Sequence, residues 1–437
     1  MHLKLSIQGA GLKVSVSGVR GRFPRDLTLE HVIIFTKAFS SMISNRCALA
    51  MDTRGSSRVI ALVVSAVLRE HGIDVYNLGV APTPVLVRES QGSSVGAGIM
   101  ITASHNPLEW NGLKFALNGR AIPADLLPLA TNTNTNTNTS INRIGIEHRS
   151  TPSYTDDLFR FLALDYHSAG AVVAVDTADG SSRSYILEIL ARLGFKAVLM
   201  DRVTADPTNS DLTHLCNAVT NGQCRLGIAL DMDGDRAVVL KGPRYKPDDI
   251  LLICLARVVE EMGCKSIAVS IDTSNAVKDI ARAMNCTLHY SRVGEANVVD
   301  TMLKYGCEAG GEGSSAGFIM ARFNLCRDGL LASAIALSML DRLDEVLEYS
   351  KRYSIRRGKV DAKGIGHDRL IDRLISRHDH SESITLDGIK LVIDESTWVL
   401  VRPSNTEDVV RLSVESDGVD RCNELYRLYE QIIKEAG

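Results

Sequence analysis

"ALAMDTRGSSRVIALVVSAVLREHGIDVYNLG", from Ala48 to Gly79, decides the fold class. A short apolar run ends on Asp52-Thr53 and a polar turn. Apolar residues then recur at helical spacing up to Leu68, and Gly72 leads into a second apolar run. This is a strand, a turn, a helix and a strand, hence a βαβ unit with a right-handed crossover. The pattern returns in "VVAVDTADGSSRSYILEILARLGFKAVLMD", Val172 to Asp201, and in "IAVSIDTSNAVKDIARAMNCTLHYS", Ile267 to Ser291. Strands this apolar suit a parallel sheet covered on both faces. Three such units, far apart in sequence, predict three related α/β domains, and the period is much too long for a solenoid. Asp52, Asp176 and Asp272 fall at the carboxyl ends of the first strands, where such sheets bind ligands. Their residue type and place favour helix N-capping and turn formation instead.

A chain of 437 residues exceeds one ordinary core, so about two to four domains are expected. Hydrophobic residues at 45% and charged residues at 23% are those of a soluble globular protein. A net charge of -3 gives no reason to expect nucleic acid or an anionic membrane as a partner. No apolar run approaches the ~18 residues that span a bilayer. The N-terminus lacks a long apolar core and an obvious cleavage site, so no signal peptide and a cytoplasmic location are expected. The nine cysteines form no CxxC pair, and their odd number argues against a disulfide framework or a zinc site. They read as small buried hydrophobes in a reducing compartment.

Pattern breaks at "KGPRYKPDD", Lys241 to Asp249, and at "KRYSIRRGKVDAKGIGHD", Lys351 to Asp368, divide the chain further. The expected domains are 1–150, 151–243, 244–350 and 351–437. In the last, one helix precedes the short strands "IKLVID", "TWVLVRP" and "VVRLSVES", and a helix follows from about Asp420. That is a small α+β domain. "TNTNTNTNTS", Thr131 to Ser140, cannot bury apolar surface and reads as a mobile or disordered loop near the first boundary.

Five stretches carry candidate chemistry. "GIMITASHNPLEWNGLKF", Gly98 to Phe115, begins as a buried strand and ends on an exposed-looking Ser-His-Asn-Pro turn. No G-x-S-x-G elbow surrounds Ser104, and at its spacing His105 is not expected to fold back as a triad base, so hydrolase chemistry is disfavoured. A serine carrying a phosphoryl group needs cations and donors nearby, and His105, Asn106 and Lys114 supply them. In "LGIALDMDGDRAVVL", Leu226 to Leu240, a buried strand runs into Asp231, Asp233 and Asp235, followed by Arg236. Carboxylates at alternate positions repel unless a cation sits between them, and hard oxygen ligands point to Mg²⁺ or Ca²⁺. An EF-hand is ruled out by Gly242 at its twelfth position, and a haloacid-dehalogenase nucleophile by Asp235 where that motif wants Thr or Val. In "VRPSNTEDVVRLSVES", Val401 to Ser416, the residues Arg402, Ser404, Asn405, Thr406 and Arg411 make a phosphate clamp of guanidinium forks, hydroxyls and turn amides. "EAGGEGSSAGFIM", Glu308 to Met320, offers Glu312, Ser314 and Ser315 between glycines. "SVSGVRGRFP", Ser15 to Pro24, sets Arg20 between glycines. Taken alone, each of these last two is also an ordinary turn.

These motifs, in this order and over essentially the whole chain, resemble the α-D-phosphohexomutase superfamily: the phosphoglucomutases, phosphomannomutases and phosphoglucosamine mutases. "TASHNP" with the downstream "NGLK", "DMDGDR" and "RPSNTE" carry the resemblance. It implies three topologically similar mixed-sheet α/β domains and a small C-terminal α+β domain around a central cleft. It implies an enzyme that interconverts hexose 6-phosphate and hexose 1-phosphate through a phosphoserine and a 1,6-bisphosphate intermediate. Ser104 would be that serine. Asp231, Asp233 and Asp235 would bind one Mg²⁺, with a phosphoserine oxygen of Ser104 completing the site. Arg20, His105 and Lys114 would manage the proton of the attacking hydroxyl, and Arg236 would steady the phosphoserine region. Glu312 and Ser314 would read the sugar, and Arg402, Ser404, Asn405 and Thr406, with Arg411, would hold the phosphate not being transferred. A hexose 1,6-bisphosphate activator, hexose phosphates as small-molecule partners, and a monomer or homodimer complete the expectation.

The sugar loop departs from the family's commonest Gly-Glu-x-Ser-Gly-His, because Ala316 holds the histidine position. "VGEANVVD", Val293 to Asp300, and the Glu-Gly start of that loop are most similar to the archaeal-type phosphoglucosamine mutase branch. "ASHNPLEWNG" is also similar to archaeal-type phosphomannomutase/phosphoglucomutase. Asp408 replaces a usual proline at the rim of the phosphate loop. Glucosamine phosphate is therefore favoured, with mannose and glucose phosphates as direct rivals. A catalytically weak sugar-phosphate-binding paralogue is the alternative of another class.

Overall fold

A computed structural model describes residues 11–92, 95–128, 143–164, 167–200, 204–243, 245–361, 374, 382–403 and 409–436. The Thr-Asn repeat and the candidate residues Ser404, Asn405 and Thr406 lie outside them. The chain divides into two compact units: Met1–Ile250 with Ser315–Leu340, and Leu251–Ser314 with Asp341–Gly437.

The first unit opens with eight strands: β1 (Lys13–Ser15), β2 (Gly18–Arg22), β3 (Arg46–Met51), β4 (Asp74–Val80), β5 (Ala97–Ile101), β6 (Trp110–Leu117), β7 (Arg120–Ile122) and β8 (Glu147–Arg149). They form one sheet in the order β1-β2-β6-β5-β3-β4-β8, with β7 on β6. The expected βαβ unit is present: β3 runs parallel to both β4 and β5. β6 is antiparallel to β5 and β2, which makes the sheet mixed. Helix Ser57–Glu70 covers it because Ile60, Val64, Val67 and Leu68 recur on one face, and all four are buried. Phe35, Phe39, Leu49, Ile99 and Phe115 complete that core.

β9 (Val172–Asp176), β10 (Lys196–Leu199), β11 (Leu226–Leu230) and β12 (Ala237–Leu240) form a second sheet in the order β10-β9-β11-β12. β9 is parallel to β10 and β11, whereas β11 and β12 are antiparallel and close the acidic loop between them. In the second unit, β13 (Ser266–Ser270) is parallel to β14 (Thr287–Ser291) and β15 (Ala309–Glu312). β16 (Gly317–Met320) and helix Gly329–Ser338 belong to the first unit again. That helix is buried all round. Its N-cap, Asp328, accepts from Leu331 N–H at 3.0 Å and from the Tyr154 hydroxyl at 2.6 Å.

The second unit closes with β17 (Ser354–Asp361), β18 (Glu382–Ile384), β19 (Ile389–Val392), β20 (Trp398–Pro403) and β21 (Val409–Ser416), in the antiparallel order β17-β21-β20-β19-β18. Helix Val419–Ala436 buries Cys422, Tyr426, Tyr429, Ile432 and Ile433 against Leu391, Val401 and Leu412. The three strands and the last helix read from sequence are present. β17 was not anticipated, because "SIRRGKVD" carries three cations in a strand with a single buried residue.

The three repeated aspartates are buried, and none of them caps its helix. The helices start later, at the caps Ser56, Ser182 and Ser274. Asp52 accepts from Arg54 N–H at 3.1 Å and Asp176 from Ala178 N–H at 2.9 Å, both turns made by the aspartate itself. Asp272 accepts from the Ser270 hydroxyl at 2.6 Å. All nine cysteines are free thiols, eight of them buried and Cys216 half-buried. Among the described residues no helix is long and apolar enough to cross a membrane.

Candidate active site

β5 delivers the chain to Thr102, Ala103 and Ser104, all fully buried. The turn that looks exposed in the sequence is exposed only over residues 107–109. Ser104 has φ +53°, the left-handed region in which a non-glycine residue costs about 1–3 kcal/mol. Its N–H donates to Thr102 Oγ1 at 2.7 Å. Its hydroxyl donates to Asp231 Oδ2 at 3.1 Å and lies 3.4 Å from His105 Nδ1. The left-handed turn therefore brings the neighbouring ring back to the hydroxyl, contrary to the expectation from spacing. Burial, and then the charges of Arg236, Arg20 and Arg327, push the His105 imidazole well below its usual range.

The β11–β12 loop meets Ser104. Asp231, Asp233 and Asp235 are fully buried, and one oxygen of each lies within 4.8 Å of the others. Gly234, at φ +68°, makes the tight turn between them. Asp231 Oδ1 accepts from Arg236 N–H at 3.2 Å. Asp233 Oδ2 accepts from the Thr83 hydroxyl and from Lys114 Nζ, each at 2.5 Å. Asp235 Oδ2 accepts from Lys114 Nζ at 2.7 Å and Arg327 Nη2 at 2.9 Å. The second oxygens, Asp233 Oδ1 and Asp235 Oδ1, are buried and have no hydrogen-bond partner among the described residues. Orphaned carboxylate oxygens in a dry site are costly, and a hard divalent cation is the group that fits them.

The electrostatics follow from this crowding. Burial, then Asp235 and Asp233, hold the Asp231 carboxyl well above the usual carboxylate range. Burial works the same way on Asp235, but Arg327, Lys114 and Arg236 outweigh it and hold that carboxyl well below. Burial disfavours the Lys114 ammonium, yet Asp233 and Asp235 keep its pKa above the ordinary value. Arg20 donates from Nη1 to Asn106 Oδ1 at 3.1 Å and from Nη2 to Ser17 O at 3.2 Å. The buried Nε groups of Arg20 and Arg236 have no hydrogen-bond partner among the described residues. Four cations, Arg20, Lys114, Arg236 and Arg327, thus surround three carboxylates. Arg236 also faces Asp206, its Nη1 3.6 Å from Oδ1, so cations and carboxylates are equal in number around Ser104.

The second unit holds the other candidates. Glu312 is buried, and its Oε1 accepts from Gly294 N–H at 2.6 Å. Ser314 bonds to Asp272, a carboxyl held below its ordinary value: burial raises it, but Arg357, Ser270, Ser314 and Arg402 overcome that. Arg402 Nη1 lies 3.7 Å from Asp387 Oδ2. Arg402 on β20 is the register partner of Arg411 on β21, which is in turn opposite Lys359 on β17. Three cations therefore share one face across three strands, with Asp387 beside Arg402.

The sequence reading brought Ser104, His105, Lys114, Arg20, Arg236 and the aspartates to one place. It missed Thr83, Arg327 and Lys359. Thr83 and Arg327 lie 150 and 92 residues from the aspartates they contact. The charges of Arg327 and Lys359 were there to be read, but Lys359 is on a strand that the sequence does not announce.

Four sequence models of the phosphoglucomutase/phosphomannomutase family match the chain in order. They are alpha/beta/alpha domain I over residues 11–139, domain II over 152–243, domain III over 246–353, and the C-terminal domain over 378–426. A protein of Thermococcus gammatolerans named "Probable phosphoglucosamine mutase" is 28% identical over 98% of this chain and 99% of its own. One of the same name from Methanopyrus kandleri is 28% identical, over 97% and 98%. Among solved structures, a phosphoglucomutase/phosphomannomutase family protein from Burkholderia thailandensis superposes with a TM-score of 0.82 at 21% identity, covering 97% of this chain and 98% of that one. The Aspergillus fumigatus N-acetylphosphoglucosamine mutase in complex with glucose 1,6-bisphosphate superposes at 0.60 and 12% identity, covering 98% and 96%.

Proposed function

The chain belongs to the phosphoglucomutase/phosphomannomutase family, within the α-D-phosphohexomutase superfamily, and from that premise we propose that it converts glucosamine 6-phosphate to glucosamine 1-phosphate through phosphorylated Ser104. It is a phosphohexomutase, an intramolecular phosphotransferase. The observation that carries the proposal is the buried Ser104 hydroxyl, 3.1 Å from Asp231 and beside the cations Arg20, Arg236 and Arg327 that act on the adjoining His105. The names of the archaeal relatives support the sugar.

In the proposed cycle phospho-Ser104 gives its phosphoryl group to the free hydroxyl of the sugar monophosphate. The bond from Ser104 Oγ to phosphorus breaks as the sugar oxygen bonds to it. The resulting 1,6-bisphosphate returns its other phosphate to Ser104, leaving the isomeric monophosphate. A hexose 1,6-bisphosphate supplied from outside primes the serine. The transition state is loose, so positioning and charge dispersal do most of the work. Arg20, His105 and Lys114 handle the hydroxyl proton, and Arg236 orients the phosphoryl oxygens. Mg²⁺ held by Asp231, Asp233 and Asp235 would neutralise charge on the phosphoryl oxygens. Glu312 and Ser314 read the sugar hydroxyls. The phosphate at rest is held by Arg402 and Arg411, by Lys359, and by Ser404, Asn405 and Thr406. The segments 1–150, 151–243, 244–350 and 351–437 then carry the phosphoserine, metal, sugar and phosphate loops.

The test compares kcat/KM on glucosamine 6-phosphate, mannose 1-phosphate and glucose 1-phosphate, with Mg²⁺ and a trace of glucose 1,6-bisphosphate. A preference of tenfold or more for glucosamine phosphate is expected. Comparable rates on the other two sugars would make the enzyme a broad phosphohexomutase. No turnover of any, with Ser104 phosphorylated, would favour the binding-only paralogue. Arg402→Ala should raise KM by about 10–100-fold, the loss of one charge-assisted contact of ~1.5–3 kcal/mol. A KM unchanged within twofold would remove Arg402 from the phosphate clamp.

A further inference from the structure

Arg54 stands in the polar turn after β3, fifty residues before Ser104. Its side chain is wholly buried. Nη2 donates to the carbonyls of Ser104 at 2.6 Å and Asn106 at 2.7 Å. Nη1 donates to the carbonyls of Pro107 at 2.5 Å and Trp110 at 3.0 Å. Nε donates to Asp52 Oδ2 at 3.0 Å. A guanidinium has five N–H donors in a rigid plane, and here all five have acceptors. Asp52 is fixed in turn, because its Oδ1 accepts from Arg54 N–H at 3.1 Å and from the Ser57 hydroxyl at 2.6 Å. Asn111, in strand β6 just after the loop, donates to the Ser56 and Ser57 hydroxyls at 2.8 and 3.0 Å.

This geometry separates Arg54 from the arginines around the aspartates. It has no donor left for a phosphate, and Asp52 balances its charge. What it does is satisfy the carbonyls of an irregular, partly buried loop that has few N–H groups of its own to offer them. Ser104 sits in that loop with a strained φ of +53°, and such a conformation persists only where its surroundings fix it. Displacement of a reacting group by about 1 Å can cost on the order of 10²-fold in rate.

We propose that Arg54, braced by Asp52, is the positioning residue of the phosphoserine loop, holding Ser104 Oγ at the phosphoryl-transfer position by gripping four backbone carbonyls. The assignment rests on Ser104 being the phosphorylated residue. Lysine has the charge of arginine, but its single ammonium cannot span four carbonyls spread along seven residues.

The test measures phosphoryl uptake from glucose 1,6-bisphosphate onto Ser104 by rapid mixing and intact-mass spectrometry, with steady-state kcat and KM, in wild type, Arg54→Lys and Arg54→Ala. Both variants should take up phosphate about 10²-fold or more slowly, with kcat falling in parallel and KM for the sugar phosphate within about threefold of wild type. Guanidinium ion at tens of millimolar should restore Arg54→Ala by about tenfold and leave wild type unimproved. Uptake within threefold of wild type in either variant would overturn the proposal. So would a loss without rescue in which KM rises as much as kcat falls. If Arg54→Ala does not fold, Arg54→Lys decides by the same uptake and KM criteria. A wild type that takes up no phosphate on Ser104 would instead overturn the phosphoserine reading, and the positioning role with it.

Discussion

Ser104→Ala should reduce mutase turnover by about 10³-fold or more and abolish phosphoryl uptake from a hexose 1,6-bisphosphate. Both readouts are needed, because turnover alone does not distinguish a lost phosphoryl carrier from a collapsed loop. The loop should survive. Asp231 keeps its bond from Arg236 N–H when the Ser104 donor is gone, and the grip of Arg54 is on backbone. Alanine retains the strain of φ +53°, whereas glycine relieves it. Ser104→Gly should therefore be as inactive as Ser104→Ala yet more stable by about 1 kcal/mol. Calorimetry beside the activity assay separates backbone cost from chemical role. A Ser104→Ala enzyme turning over at a tenth of the wild-type rate would end the phosphoserine mechanism.

Asp231→Asn is expected to move activity and stability in opposite directions. Three fully buried carboxylates repel one another, and removing one charge relieves the other two. Without metal, the variant should melt at or above the wild-type temperature. With Mg²⁺, wild type should gain stability, about 2.7 kcal/mol at a hundred times Kd, or roughly 5–10 °C for a unit of this size. The variant should show little of that shift, and its turnover should fall by about 10²-fold or more. Thermal denaturation with and without EDTA reads both. A Mg²⁺ shift as large in Asp231→Asn as in wild type would place the metal elsewhere. An apo variant several degrees less stable would show that Asp231 holds the loop together.

What the sequence disclosed and what it hid divide along a physical line. Ser104, His105 and Lys114 sit on one strand, loop and strand, and the three aspartates in one hairpin. Their chemistry is concentrated in short stretches, and local pattern suffices to read it. Asp52 was legible as a special position, but its task was not. Capping a helix, making a turn and bracing an arginine ask for the same residue type at nearly the same place. Arg54 followed from no local rule, because its partners are backbone carbonyls, which have no letter in a sequence. Arg327 lies in none of the five motifs, and only the fold sets it 2.9 Å from Asp235. The mixed character of the sheets was likewise legible only through the resemblance. Apolar strands announce burial, and burial on both faces is compatible with either strand direction.

The first unit is not one stretch of chain. It is completed by Ser315–Leu340 after sixty-four residues of the second unit, Leu251–Ser314, have been laid down. During synthesis the ribosome therefore delivers Asp235 well before the arginine that helps neutralise it, and Tyr154 before the Asp328 that receives its hydroxyl. A nascent chain that has reached residue 250 holds the acidic hairpin with Lys114 but without Arg327, and without the all-buried helix Gly329–Ser338 that packs behind it. Completion of this acidic cluster is thus deferred until about three quarters of the protein has been translated. A truncation placed between the units removes part of the first along with the second.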